Sequence, residues 1–266
     1  MRKALIPVCF LLMLVAACEE IIYIDLDHSS PAIVIEGKIS NENEPSKVVV
    51  TRTMDYFNPS ATPMVTGAII SISNGTEKHY YGEVSPGIYE CSTMPGIPGT
   101  TYTLSVTAGD NTYTATSRMP ELVWIDSLAQ EYIPGTRFSE PGYFIHCYFT
   151  DPPGTTNYYR MRNFRNGAAN SYIHILNDRL SDGQDIHYFF FDVSFEAGDT
   201  AAIELHTINA ASYDYLLTLF SVSAAYPSVT GSAPANPNTN FSNGALGYFS
   251  AFTVNAHVMI IKKDGE

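Results

Sequence analysis

Apolar residues fall at alternate positions in short stretches, and Gly, Pro, Asn and Asp punctuate them. That period-2 pattern predicts β-strands with one face buried. Ala32–Ile39 sets Ile33, Ile35 and Gly37 on one face. Lys47–Thr53, Ala68–Ser73, Glu77–Glu83, Ile88–Met94, Tyr102–Thr107 and Tyr113–Arg118 follow, bounded by turn residues such as Asn41–Pro45 and Pro86-Gly87. Asn74-Gly75 is the strongest hairpin signal in the chain. Seven short strands across residues 32–118 predict an immunoglobulin- or fibronectin-like sandwich. Tyr102 stands where a tyrosine corner would be, with an ordinary core tyrosine as the alternative.

Met119–Asp126 reads as a linker, and 127–266 as a second, antiparallel β domain with one helix. Its strands are Tyr143–Thr150, Tyr158–Phe164, Ser171–Leu176, Ile186–Val193 and Ala201–Thr207. Tyr213, Leu216, Leu217 and Phe220 recur at helical spacing, so residues 212–225 predict a helix. Ser212 would cap it and Tyr226-Pro227 would end it. Pro227–Gly244 is loop, and Leu246–Val254 and His257–Lys262 close the chain as two strands. The expected fold class is mainly β.

The first 17 residues have the character of a leader. Arg2 and Lys3 precede the mostly apolar run Ala4–Ala17, too short for a stable bilayer-spanning helix. Val15-Ala16-Ala17-Cys18 resembles a bacterial lipobox, with cleavage between Ala17 and Cys18. Diacylglycerol on the cysteine thiol, with an added palmitate-type chain, would anchor the mature protein without spanning the membrane. The alternative is an ordinary secretory leader with an incidental cysteine. Residues 18–31 read as a tether. Glu19 and Glu20 are either a signal for outward display or the solvated start of that tether.

Composition narrows the partners. The chain has 266 residues, 45% apolar and only 15% charged, with net charge −13. Loss of the leader removes two cations more. So acidic a chain is unsuited to neutralising phosphate or an anionic bilayer, which excludes nucleic acid and a basic membrane patch.

Candidate chemistry is sparse. The sequence contains no G-x-S-x-G, H-E-x-x-H, C-x-x-C or phosphate-loop pattern, and no cofactor is expected. His187 and His206 lie on consecutive predicted strands and could meet across a ladder, a weak metal signal without a third ligand. Asp178, Asp182 and Asp185 offer oxygen ligands for calcium, although Asp and Gly are also ordinary turn formers. Tyr158, Tyr159, Tyr172 and Tyr188 either form an aromatic binding surface or fill a sheet core. Cys91 and Cys147 either pair across the two domains or stay as separate buried thiols.

Several motifs together carry a resemblance across nearly the whole mature chain. They include Val34-Ile35-Glu36-Gly37, Gly67-Ala68-Ile69-Ile70, Ile125-Asp126-Ser127-Leu128, and Phe149-Thr150-Asp151-Pro152 with Asn157-Tyr158-Tyr159-Arg160. The most specific is Asn236-Pro237-Asn238-Thr239-Asn240 running to Asn243-Gly244-Ala245-Leu246-Gly247-Tyr248-Phe249. In these the chain resembles a family of Bacteroidota outer-membrane lipoproteins known only as domain of unknown function 4249. The resemblance implies an accessory lipoprotein paired with a TonB-dependent receptor and carries no catalytic residues. The expected function is therefore non-catalytic: a surface lipoprotein of the outer membrane that binds a small-molecule, peptide or glycan ligand or docks on that receptor. An envelope hydrolase with a site assembled only in three dimensions, or a structural or adhesive surface protein, is the alternative.

Overall fold

A computed structural model describes residues 31–54, 62–92, 94–135, 141–222 and 236–263. The lipobox, Glu19, Glu20 and Tyr226-Pro227 lie outside the described residues. The protein is mainly β. Its strands are β1 (Ile33–Ser40), β2 (Ser46–Arg52), β3 (Ile69–Ser73), β4 (Lys78–Tyr80), β5 (Gly82–Ser85), β6 (Ile88–Cys91), β7 (Thr101–Ala108) and β8 (Asn111–Arg118). There follow β9 (Ser127–Ile133), β10 (Gly142–Thr150), β11 (Tyr158–Arg165), β12 (Ala168–Ala169), β13 (His174–Asn177), β14 (Asp185–Phe195) and β15 (Thr200–Ile208). Helix α1 (Ala210–Val222) and β16 (Leu246–Ile260) complete the order.

One long sheet runs β12-β11-β15-β16-β1-β2-β6-β5, with β13 also paired to β11. Two smaller sheets, β4-β3-β7-β8 and β14-β10-β9, pack on it. The first core is filled by Ile35, Val48, Ile72, Tyr89, Leu104 and Phe249. The second is filled by Ile145, Phe149, Tyr159, Phe190, Ile203 and Leu205. Both are sandwiches whose inward residues alternate with outward ones.

The chain does not separate at residue 120: residues 31–266 form one compact unit. The reason is β16. It pairs in parallel with β1 and antiparallel with β15, so a single 15-residue strand floors both cores. Phe249 and Ala251 enter the first core, while Met259 packs on the second. The expected break between two closing strands is absent, because the polar residues there are satisfied in place. Asn255 Oδ1 accepts the Ile125 N–H at 2.7 Å, and Thr253 Oγ1 donates to Glu121 O at 3.2 Å. Residues 119–126 are accordingly packed, with Met119, Val123 and Ile125 buried.

Local chemistry explains several further details. Asn74 Oδ1 accepts the N–H groups of Thr76 and Glu77, closing the expected hairpin. The returning strand then splits at Tyr81: β4 pairs with β3, and β5 crosses to β6 in the other sheet. Tyr102 is fully buried and its hydroxyl accepts the Ile97 N–H at 2.8 Å, a tyrosine-corner bond. Helix α1 starts earlier than expected. Its cap is Asn209, whose Oδ1 accepts the Ser212 N–H at 2.8 Å, while the Ser212 hydroxyl donates instead to Ser250 Oγ at 2.8 Å. Cys91 and Cys147 are buried one in each core and are not joined to each other, so no interdomain disulfide forms. Burial, and then the charge of Asp126, pushes the Cys147 thiol up to about 12, which leaves it inert.

Candidate functional site

Strand alternation places polar side chains on the face of the long sheet away from the two cores. Arg160 and Arg162 on β11 stand beside His206 and Glu204 on β15. Glu36 and Lys38 on β1 stand beside Tyr248 and Ser250 on β16. Helix α1 forms one wall of this basin with Ser212 and Leu216, and the 41–45 loop forms another with Glu42 and Glu44. The cavity measures about 580 Å³. Asn41 fixes the loop wall by extending the β1–β16 ladder with its side chain. Its Oδ1 accepts the Val254 N–H at 2.6 Å and its Nδ2 donates to Val254 O at 3.4 Å.

The polar groups of the floor are tied to one another. Glu204 Oε2 accepts from Arg162 at 3.1 Å and lies 2.9 Å from His206 Nε2. The Arg162 guanidinium sits over the Phe164 ring, and His206 stacks on Phe252 at 4.8 Å. Tyr215 of α1 stacks on Tyr248 at 4.3 Å, docking the helix on the sheet. Burial works to raise the Glu204 carboxyl, but the bonds from His206 and Arg162 outweigh it and hold it below the ordinary range. Burial lowers His206, with Arg160 and Arg162 reinforcing the effect against Glu204. Burial and the charges of Glu204 and Glu44 raise Glu42. Burial, then the Glu36 charge, pushes the Tyr215 phenol up to about 12. A carboxylate held by the Arg162 guanidinium and bonded to His206 is a weak proton acceptor, and this floor offers hydrogen bonds and charge pairing to a ligand. Arg160 is the half-buried cation beside Tyr248 and has no ion-pair partner among the described residues.

The expected acidic site is rearranged. Asp178 and Asp182 meet Asp151, not Asp185, with ligand oxygens within 4.8 Å of one another. Asp185 turns away to accept the Thr150 hydroxyl at 3.0 Å. Asp151 is fully buried and accepts from the Tyr159 hydroxyl, from Gly183 N at 3.0 Å and from Asn157 Nδ2 at 3.3 Å. Asn157 N donates to Asp178 and Gly154 N to Asp182, so the three acids also staple two turns together. Asp151 carries no ligand signal in the sequence because it sits in Asp-Pro-Pro-Gly, which reads as a plain turn.

The four tyrosines do not share a surface. Tyr158 and Tyr159 point to opposite faces of β11, and Tyr159 is fully buried. Tyr188 is bonded to His174 at 2.9 Å, and Tyr172 packs edge-on against Phe191. Nor do His187 and His206 meet. The Glu196–Asp199 turn carries the chain from the small sheet to the long one, so β14 and β15 never pair. His187 instead contacts His146 on β10.

These features define a mainly β protein in which one long sheet backs two sandwich cores and bears a charged basin on its other face. Residues 19–257 match the model of the family described as a domain of unknown function (DUF4249), and the chain belongs to that family. No curated protein matches it.

Proposed function

We propose that the protein is a non-catalytic lipoprotein of the outer membrane of a Gram-negative bacterium, anchored at Cys18 and facing outward. In this reading it captures a polar ligand in the basin and presents it to a TonB-dependent receptor. The observation that supports this most is the basin itself. It is open to solvent, it offers both charge signs across adjacent strands, and among the described residues the Arg160 guanidinium has no ion-pair partner. Neighbouring strands lie about 4.8 Å apart, so β11 and β1 run about 14 Å from each other across the floor, and the register offsets Arg160 and Glu36 further along the strands. That span suits a ligand with separated opposite charges, such as a short peptide.

The test uses the full chain in cells. A photo-crosslinking residue at Glu44, on the rim, is expected to capture an outer-membrane barrel protein. Cys18→Ser is expected to release the chain from the membrane fraction and abolish that capture. A chain that stays membrane-bound after Cys18→Ser, or that never captures a barrel, overturns the proposal.

A further inference from the structure

The outer face of the β9-β10-β14 sheet carries two histidines aimed at each other. His146 Nδ1 on β10 lies 2.7 Å from His187 Nε2 on β14. On the far side of the same ring, His146 Nε2 lies 2.9 Å from Glu131 Oε2 on β9. A carboxylate facing Nε2 keeps the proton on that nitrogen and leaves Nδ1 as a lone pair directed at His187. Both rings are braced. His187 stacks on Tyr148 at 4.6 Å and 9°, and His146 lies over Phe189 at 4.9 Å and 28°. Little side-chain freedom is left for a ligand to remove.

We infer that His146 and His187 form a binding site for a divalent transition metal of the zinc or copper type, with Glu131 as the positioning residue for His146. Imidazole nitrogens suit these ions, and a carboxylate bonded to the non-ligating nitrogen is their usual support. Metal–nitrogen distances of about 2.0–2.1 Å at a tetrahedral angle need the two nitrogens about 3.3 Å apart. The pair therefore opens by only about 0.6 Å to admit the ion. In the free pair His187 Nε2–H donates to His146 Nδ1. On binding, that proton passes through solvent to His187 Nδ1, and the ion takes both facing lone pairs with no net proton release. Two coordination positions remain for water or for donors from another molecule. The strong negative charge of the chain raises the local concentration of divalent cations.

Zinc alone, titrated calorimetrically into the metal-stripped full chain in detergent above the histidine pKa range, tests the site. One ion per chain is expected. His146→Gln and His187→Gln are each expected to weaken binding at least tenfold, because a chelate loses affinity when either arm is removed. Glu131→Gln is expected to keep the stoichiometry and weaken binding by about tenfold, the effect of losing an orienting partner. His257→Gln, elsewhere on the surface, is expected to bind as the parent does. Circular dichroism confirms that each variant is folded. Two independent surface histidines would instead lose half the sites with unchanged affinity in each single variant. That result, or an absence of binding, overturns the site, and full affinity in Glu131→Gln overturns the positioning role.

Discussion

Gly247→Ala tests how closely β1 and β16 approach beneath the basin. Gly247 has φ +90° and pairs with Ile35 in the parallel ladder. A Cβ there would lie 2.1 Å from Ile35 O, 2.8 Å from Ile35 C and 3.0 Å from Ile35 N, all of them backbone atoms. The positive φ alone costs alanine about 1 kcal/mol. A carbon needs about 3.3 Å from a carbonyl oxygen, so the strands must part by roughly 1 Å locally. That stretches about two flanking ladder bonds in a buried setting, at about 1–1.5 kcal/mol each. The sum is about 3–4 kcal/mol, or roughly 6–16 °C in melting temperature for a domain of this size. Gly198→Ala supplies the control: its φ is +95°, and nothing lies within 4 Å of the added Cβ. It is expected to shift the midpoint by only about 2–4 °C. Thermal unfolding followed by circular dichroism measures both. Equal shifts in the two variants would refute the close approach and leave only backbone strain.

Other substitutions probe neighbouring features. Asn209→Ala removes the cap of α1 and a bond to Ser117, and is expected to cost about 2 kcal/mol in urea unfolding. Tyr159→Phe keeps the buried ring but takes one donor from buried Asp151, with an expected loss of about 1–3 kcal/mol by the same measurement. Asp192 links stability to pH. Burial tends to raise its carboxyl, but bonds from His174 and Asn163 outweigh burial and hold it below the ordinary range. A depressed carboxyl stabilises the fold above its unfolded pKa, and that contribution fades as pH falls through the folded value. Melting temperature is therefore expected to fall on acidification below the ordinary aspartate range, and Asp192→Asn is expected to flatten that fall while lowering stability near neutrality.

The strands were legible because their burial alternates, as in Thr101–Ala108, where Tyr102, Leu104 and Val106 point inward. Ser127–Ile133 was not, since only its edge position in a small sheet makes it a strand and its residues show no clean alternation. The loop that leads into the closing strand is built from turns capped by side chains. Asn240 bonds both N and O of Phe249, and Asn243 donates to Thr112 O. The basin was invisible because Arg160, Glu204, Tyr248 and Glu36 come from four strands far apart in sequence. His146 was likewise silent, a single histidine in an otherwise apolar strand, until pairing set it against His187.

The parallel pairing of the first described strand with the last delays maturation. Neither sandwich closes until residues 246–260 have been synthesised, because both lack their common floor before then. A chain whose decisive contacts are this remote stays open for longer than one built from local hairpins. Under the export proposed above, that delay keeps the chain threadable until it has crossed the membrane.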